Sequence, residues 1–131
     1  MNYYLQNIKS FSATAENPEA LSGQGGRTNG GRKGSPCIEP LSAGEKRILL
    51  HKCGPGVIRK IWCTIPADHP QHLRNIILRM YWDGQACPSV EAPLGDFFGI
   101  AHGKRRKMIT PYVGMQDARG LNCFIPMPFR K

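Results

Sequence analysis

From Cys37 onward the chain is cut by Gly, Pro and Asp-Gly signals into apolar runs at roughly ten-residue spacing. That punctuation leaves no convincing helix and constrains the fold to short strands joined by turns. KRILLHK at 46–52 is closed by Gly54-Pro55-Gly56. VIRKIWCTI at 57–65 alternates, placing Val57, Ile61, Cys63 and Ile65 on one face with Arg59 as the exception, and it stops at Pro66. LRNIILRMYW at 73–82 puts Ile76, Leu78, Met80 and Trp82 on one face. Its length would also allow an amphipathic helix, but the period of two is cleaner and Asp83-Gly84 supplies a hairpin-type stop. LNCFIPM at 121–127 is a further strand, ended by Pro126 and Pro128. About five to seven such strands predict an all-β, jelly-roll-like β-sandwich over 37–131.

Residues 1–36 read differently: a short N-terminal strand, then an arm. SATAENPEALSGQGGRTNGGRKGSP is rich in Gly, Ser, Asn and Pro, the composition of a long loop. Unstructured loops longer than about 15 residues are uncommon in compact domains and are often functional.

Charge and cysteine content bound the function. The 131 residues, 40% hydrophobic and 21% charged, fit one soluble domain or a piece of a larger protein. No apolar run approaches the roughly 20 residues that span a bilayer. MNYYLQNIKS lacks an apolar h-region, so no signal peptide and no membrane association are expected. The five cysteines (Cys37, Cys53, Cys63, Cys87 and Cys123) are odd in number with no C-x-x-C. They predict reduced structural thiols and a cytoplasmic location. Asp68, His69 and His72 in DHPQH are spaced for a metal, but Pro70 breaks any helix that would align them; no metal or cofactor is expected. The formal charge of +9 invites a nucleic-acid partner. The cations are scattered, however, and the one run, GKRRK at 103–107, lacks interleaved aromatics. Nucleic-acid binding through Lys104, Arg105, Arg106 and Lys107 is therefore the weakest alternative.

The stretch YWDGQACPSVEAPLGDFFG at 81–99 gathers Asp83, Glu91 and Asp96 among Tyr81, Trp82, Phe97 and Phe98. A glycosidase uses two carboxyl groups, and aromatics give a platform on which a sugar stacks. Glu91 and Asp96 converge only if the intervening APLG folds back, which Pro93 and Gly95 permit. The competing reading is plain: Asp83 before Gly84 is a turn residue bonding its own backbone, Asp96 ties a loop, and the aromatics are core.

In order along the chain, SFSATAEN, GQGG, GRKGSPCI, GPGVIRKIWCTIP, LRMYWDGQACPSVEAPLGDFFG and NCFIPMPF resemble the amino-terminal part of a known family. It is domain-of-unknown-function family 2961, also classed as glycoside hydrolase family 172, and the resemblance covers nearly the whole chain. It implies hydrolysis or transfer of fructofuranosyl or arabinofuranosyl groups, a double jelly roll of which this chain is the first half, and assembly as a homo-oligomer. It also implies a retaining mechanism with paired glutamates in the second jelly roll, so the chain alone is expected to be inactive. Glu91 and Asp96 then remain candidates for shaping a site, with direct catalysis the lesser reading. Glu16, Asn17, Trp82 and Asp83 are candidates for contacting a furanosyl carbohydrate. A free-standing carbohydrate-binding or assembly module, with Trp82 or Phe97 presented to solvent, is the principal alternative.

Overall fold

The computed structural model describes residues 7–32, 36–68, 70–117 and 119–131. The chain divides into two compact units, Met1–Lys52 and Cys53–Lys131.

In the second unit the strands are β1 (Gly56–Ile58), β2 (Ile61–Cys63), β3 (Ile77–Met80), β4 (Val90–Pro93), β5 (Met108–Ile109), β6 (Val113–Gln116), β7 (Gly120–Cys123) and β8 (Met127–Phe129). Single helical turns α1 (His72–Asn75) and α2 (Leu94–Phe97) precede β3 and follow β4. All pairings are antiparallel: β2-β7-β6-β5 form one sheet, and β1-β8 and β3-β4 form two-stranded ribbons. Short strands, antiparallel sheets and one-turn helices make this an all-β sandwich, as the punctuation predicts.

The core lies between the four-stranded sheet and the β3-β4 hairpin with its flanking turns. Met115 from β6 and Leu121 and Cys123 from β7 meet Leu73, Leu94, Phe98 and Ile100. Leu73 and Phe98 are completely buried, and full burial of such side chains stabilises a fold by about 1.5–3 kcal/mol each. Ile76, Leu78 and Met80 are half-buried while Ile77, Arg79 and Tyr81 are exposed, which is the alternation expected of this run. Its first residues wind into α1 instead of extending the strand.

The run 57–65 is two strands, not one. Ile58 and Ile61 are both half-buried and stand three residues apart, a spacing that a continuous strand cannot put on one face. The backbone shifts at exposed Arg59-Lys60, so Val57 faces solvent and no charge enters the core at Arg59. The partner side breaks at the same level, where residues 124–126 separate β7 from β8. Lys60 Nζ lies 5.4 Å from the Phe124 ring centroid across this step. The expected strand at 46–52 is absent: Ile48, Leu49 and Leu50 are consecutive and all exposed, an apolar run with no alternation to bury and no strand beside it.

The first unit is held by local polar bonds. Thr14 and Asn17 form one antiparallel bridge, their backbone N–H groups donating to each other's carbonyls at 3.1 Å. The N-terminal strand expected before residue 10 falls largely on residues 1–6, which lie outside the described residues. Thr28–Gly31 is a 3-10 turn, and Lys52 Nζ sits 4.2 Å over the Phe11 ring.

At Gly95 a Cβ would come within 2.9 Å of Leu73 Cβ and 3.1 Å of the Leu73 and Ile100 carbonyl oxygens. Two of those neighbours are backbone, so Gly95→Ala is expected to destabilise the chain by about 1–3 kcal/mol in urea unfolding. The thiols give a second check. Burial pushes Cys63 up to about 11, and Cys123 is fully buried, whereas Cys37 and Cys87 are exposed. Maleimide at neutral pH should modify Cys63 about a hundredfold more slowly than Cys37 and Cys87, a gap that closes in urea.

Candidate functional site

The 81–99 stretch is a hairpin whose register decides where every acid goes. Asp83 and Gly84 both have positive φ (53° and 79°), and the Gln85 N–H donates to the Trp82 carbonyl at 2.9 Å, giving the twisted turn that Asp-Gly favours. Strands β3 and β4 then pair with Met80 opposite Val90, Arg79 opposite Glu91 and Ile77 opposite Pro93.

Glu91 therefore stands directly across from Arg79, whose Nε donates to Glu91 Oε2 at 2.6 Å on the exposed face. The same register runs past the strand ends. The Leu94 N–H donates to the Ile76 carbonyl at 2.7 Å, and Arg74 on α1 reaches Asp96 on α2, donating from one guanidinium nitrogen to Oδ2. Asp96 Oδ1 is buried and has no hydrogen-bond partner among the described residues. Arg74 and Asp96, with Pro70, Gln71, His102 and Gly103, line a recess of about 600 Å³. Neither Arg74 nor Arg79 stands out by residue type; they are found only once the hairpin register is drawn.

Asp83 does not bond its own turn. Its Oδ1 accepts the Arg130 and Lys131 N–H groups at 2.7 and 3.0 Å, tying the residues after β8 to the hairpin. These two donors hold its carboxyl below the usual range. Trp82 is half-buried, and Phe97 packs against the core with its ring edge-on to Phe98 at 5.0 Å. Among the described residues the most exposed aromatics are Trp62 on β2 and Tyr112, with Tyr81 of the stretch also exposed.

Glu16 and Asn17 belong to the first unit. The Glu16 carboxylate accepts the N–H groups of Gly26 and Thr28 at 2.9 Å each and the Thr28 hydroxyl, which closes the Gly-rich loop. The Thr28 hydroxyl bond, with the two backbone donors, holds the Glu16 carboxyl below the usual range. Asn17 is buried, and its amide both donates to the Leu21 carbonyl and accepts the Leu21 N–H, at 3.1 and 3.0 Å. Thr28 is the partner that composition did not single out.

In the GKRRK run, Arg105 is half-buried, donating to the Ile65 carbonyl and to His72 Nε2, the latter at 3.1 Å. Lys104, Arg106 and Lys107 are exposed. His69 of the weighed metal cluster lies outside the described residues. No group of three or more His, Cys, Asp or Glu among the described residues could hold a metal ion. No helix of the described residues is long and apolar enough to cross a membrane.

The Glu16 bonds set a sign for pH dependence. With the folded-state pKa lowered, the protection it gives the loop is present above the unfolded value of about 4.3 and fades as pH falls through the lowered one. Protection of the Gly26 and Thr28 amides against exchange, taken relative to the unstructured rate at each pH, should fall across that acid window, and Glu16→Gln should show the lower protection already at neutral pH.

No curated protein matches this sequence. A family model described as GH172 domain-like matches residues 38–131, which takes in the hairpin, both Arg–acid pairs and every strand, but not the Glu16 loop. The chain belongs to the GH172 domain-like family and is thereby related to glycoside hydrolases.

Proposed function

We propose that the chain is the amino-terminal portion of a furanosidase-type glycoside hydrolase acting on fructofuranosyl or arabinofuranosyl linkages. In this reading its acids brace and shape the site, while the nucleophile and acid/base glutamates lie outside residues 1–131. The family match supports the hydrolase relation. The state of the acids supports the division of labour.

A retaining glycosidase needs two carboxyl groups about 5–5.5 Å apart, one of them a proton donor with raised pKa. Here each candidate acid is already engaged. Glu91 is taken by Arg79, Asp96 by Arg74, Asp83 by two backbone N–H groups and Glu16 by Thr28 and Gly26. A carboxylate whose oxygen is committed to an arginine across the hairpin is not placed to deliver a proton to a leaving group or to attack a sugar carbon. That the hairpin acids are matched with arginines across one register is the observation that carries this reading. Furanosyl carbohydrate is the partner, and the working form is a homo-oligomer.

The test is turnover of aryl arabinofuranosides and fructofuranosyl oligosaccharides by the purified chain, with light scattering on the same sample. The expected result is no hydrolysis. Hydrolysis that disappears in Glu91→Gln or Asp96→Asn would overturn the division of labour and return catalysis to the hairpin. On the stability side, the Arg79–Glu91 pair is exposed, and such pairs contribute little. Glu91→Gln should therefore leave the urea midpoint unchanged within error.

A further inference from the structure

The sequence keeps its cations and its aromatics apart, but the fold brings members of both onto one surface. In the four-stranded sheet Ile61 and Cys63 of β2, Leu121 and Cys123 of β7, and Val113 and Met115 of β6 turn inward to the core. Successive side chains of a strand point to opposite faces, so the residues between them point outward. The register then sets Trp62, Asn122, Gly114 and Ile109 in one row across β2, β7, β6 and β5. Just beyond it, the Phe124 N–H donates to the Tyr112 carbonyl at 2.7 Å, and the Lys60 ammonium faces the Phe124 ring, so these three make a second row. On the other side Gln116 pairs with Gly120, and Lys107, the last residue of the GKRRK run, leads into β5 opposite in facing to the core residue Met108. Trp62, Phe124 and Tyr112 expose 60, 46 and 62% of their surface. Rings left this open on a sheet face offer a stacking surface to something outside the chain.

The charges select what that is. No Asp or Glu occupies an outward position of this face, and Lys60 and Lys107 stand at its opposite corners. Lys104 and Arg106 are exposed in the run leading to β5. A neutral sugar could stack on the rings, but its hydroxyls need acceptors as well as donors, and a lysine only donates. A bilayer surface would be met by protruding apolar side chains, whereas Gly114 and Gly120 hollow the centre of this face. A chain that alternates flat rings with phosphates matches both features.

The finer geometry agrees. A groove of about 170 Å³ is lined by Ile109, Gly114, Gln116, Asn122 and Phe124. A Cβ at Gly114 would come within 2.6 Å of the Met108 carbonyl oxygen, so the groove is floored by bare backbone. The amides of Gln116 and Asn122 can both donate to and accept from the edge of a base. Trp62 Nε1 lies 3.5 Å from where a Gly120 Cβ would stand, which brings the indole over β7. Diagonal neighbours on a sheet are about 7–8 Å apart, a separation that lets Trp62 and Phe124 each hold its own base.

We propose that the outward face of the β2-β7-β6-β5 sheet binds single-stranded nucleic acid. Trp62, Phe124 and Tyr112 stack on bases, Asn122 and Gln116 meet base edges, and Lys60 and Lys107 hold phosphates. The proposal stands apart from the hydrolase reading, which uses none of these residues.

The experiment is fluorescence anisotropy of the 131-residue chain with labelled 12-nucleotide oligothymidylate, 12-nucleotide oligouridylate and a 12-base-pair duplex, at several salt concentrations. At least one single strand is expected to bind about tenfold more tightly than the duplex, and the tighter of the two distinguishes a DNA from an RNA partner. Trp62→Ala and Phe124→Ala should each weaken binding about tenfold, the effect of losing one stacked base. Lys60→Gln combined with Lys107→Gln should lower the slope of log affinity against log salt by about 1.4, and this pair decides alone if an aromatic variant folds poorly. Tyr81→Ala, an exposed aromatic outside this sheet, and Lys46→Gln in the first unit should change neither. Equal binding of single strand and duplex, an unchanged salt slope in the lysine pair, or equal losses in Tyr81→Ala and Trp62→Ala would each overturn the platform. Absence of oligonucleotide binding would overturn it too. Should Trp62 then prove necessary for binding a neutral polysaccharide or phosphatidylglycerol vesicles, or for self-association in light scattering, the face belongs to that occupant instead. None of these outcomes touches the hydrolase reading, which stands or falls on turnover.

Discussion

The second unit depends on one close approach, Gly95 against Leu73. Leu73 is fully buried, and only a residue without a side chain lets α2 come near enough to cover it. That contact lets α1 and α2 lie opposite each other at the end of the β3-β4 hairpin. It also brings Leu94 and Phe98 into the core beside Met115, Leu121 and Cys123. The Ile100 N–H donating to the Gly95 carbonyl at 2.8 Å then turns the chain back towards the recess. Core packing and site geometry thus share a single constraint, and neither is adjustable without the other.

The same arrangement explains why a chain of charge +9 concentrates acids in one stretch. Arg74 and Arg79 precede the turn and Asp96 and Glu91 follow it in mirrored order, so closing the hairpin pairs them. The two pairs have different surroundings. Arg79 and Glu91 sit on the exposed face of the ribbon, where water screens them. Arg74 and Asp96 border a recess in which one carboxylate oxygen is withdrawn from solvent. The difference lies with the acids, Asp96 being less exposed than Glu91, since Arg74 is no more buried than Arg79.

Much of the architecture was legible in the sequence because turn chemistry is local. Asp83-Gly84 specifies positive φ at both positions whatever surrounds it, and the alternation from Ile76 to Met80 reports burial directly. What was not legible depended on partners distant in sequence. The step at Arg59-Lys60 requires a matching break at 124–126, and nothing within 57–65 reveals it beyond the misplaced charge of Arg59. Asp83 looked like a residue bonding its own turn, yet its acceptor is used by Arg130 and Lys131, nearly fifty positions away. The apolar triplet at 48–50 misled in the other direction, since hydrophobicity without alternation does not specify a strand.

The hairpin register also sets which changes of chain length the domain can absorb. Between Gln85 and Ser89 the loop can lengthen or shorten, because the Asp83-Gly84 turn, the paired strands and both helical turns keep their partners. A single residue gained or lost within β4 is another matter. It would turn Glu91 toward the core, carry Pro93 off its place opposite Ile77, and move Gly95 away from Leu73 in one step. Length variation among related chains should therefore gather in 86–88 and be absent from 90–97, so that the paired strands are inherited as a block of fixed length beside a short variable segment.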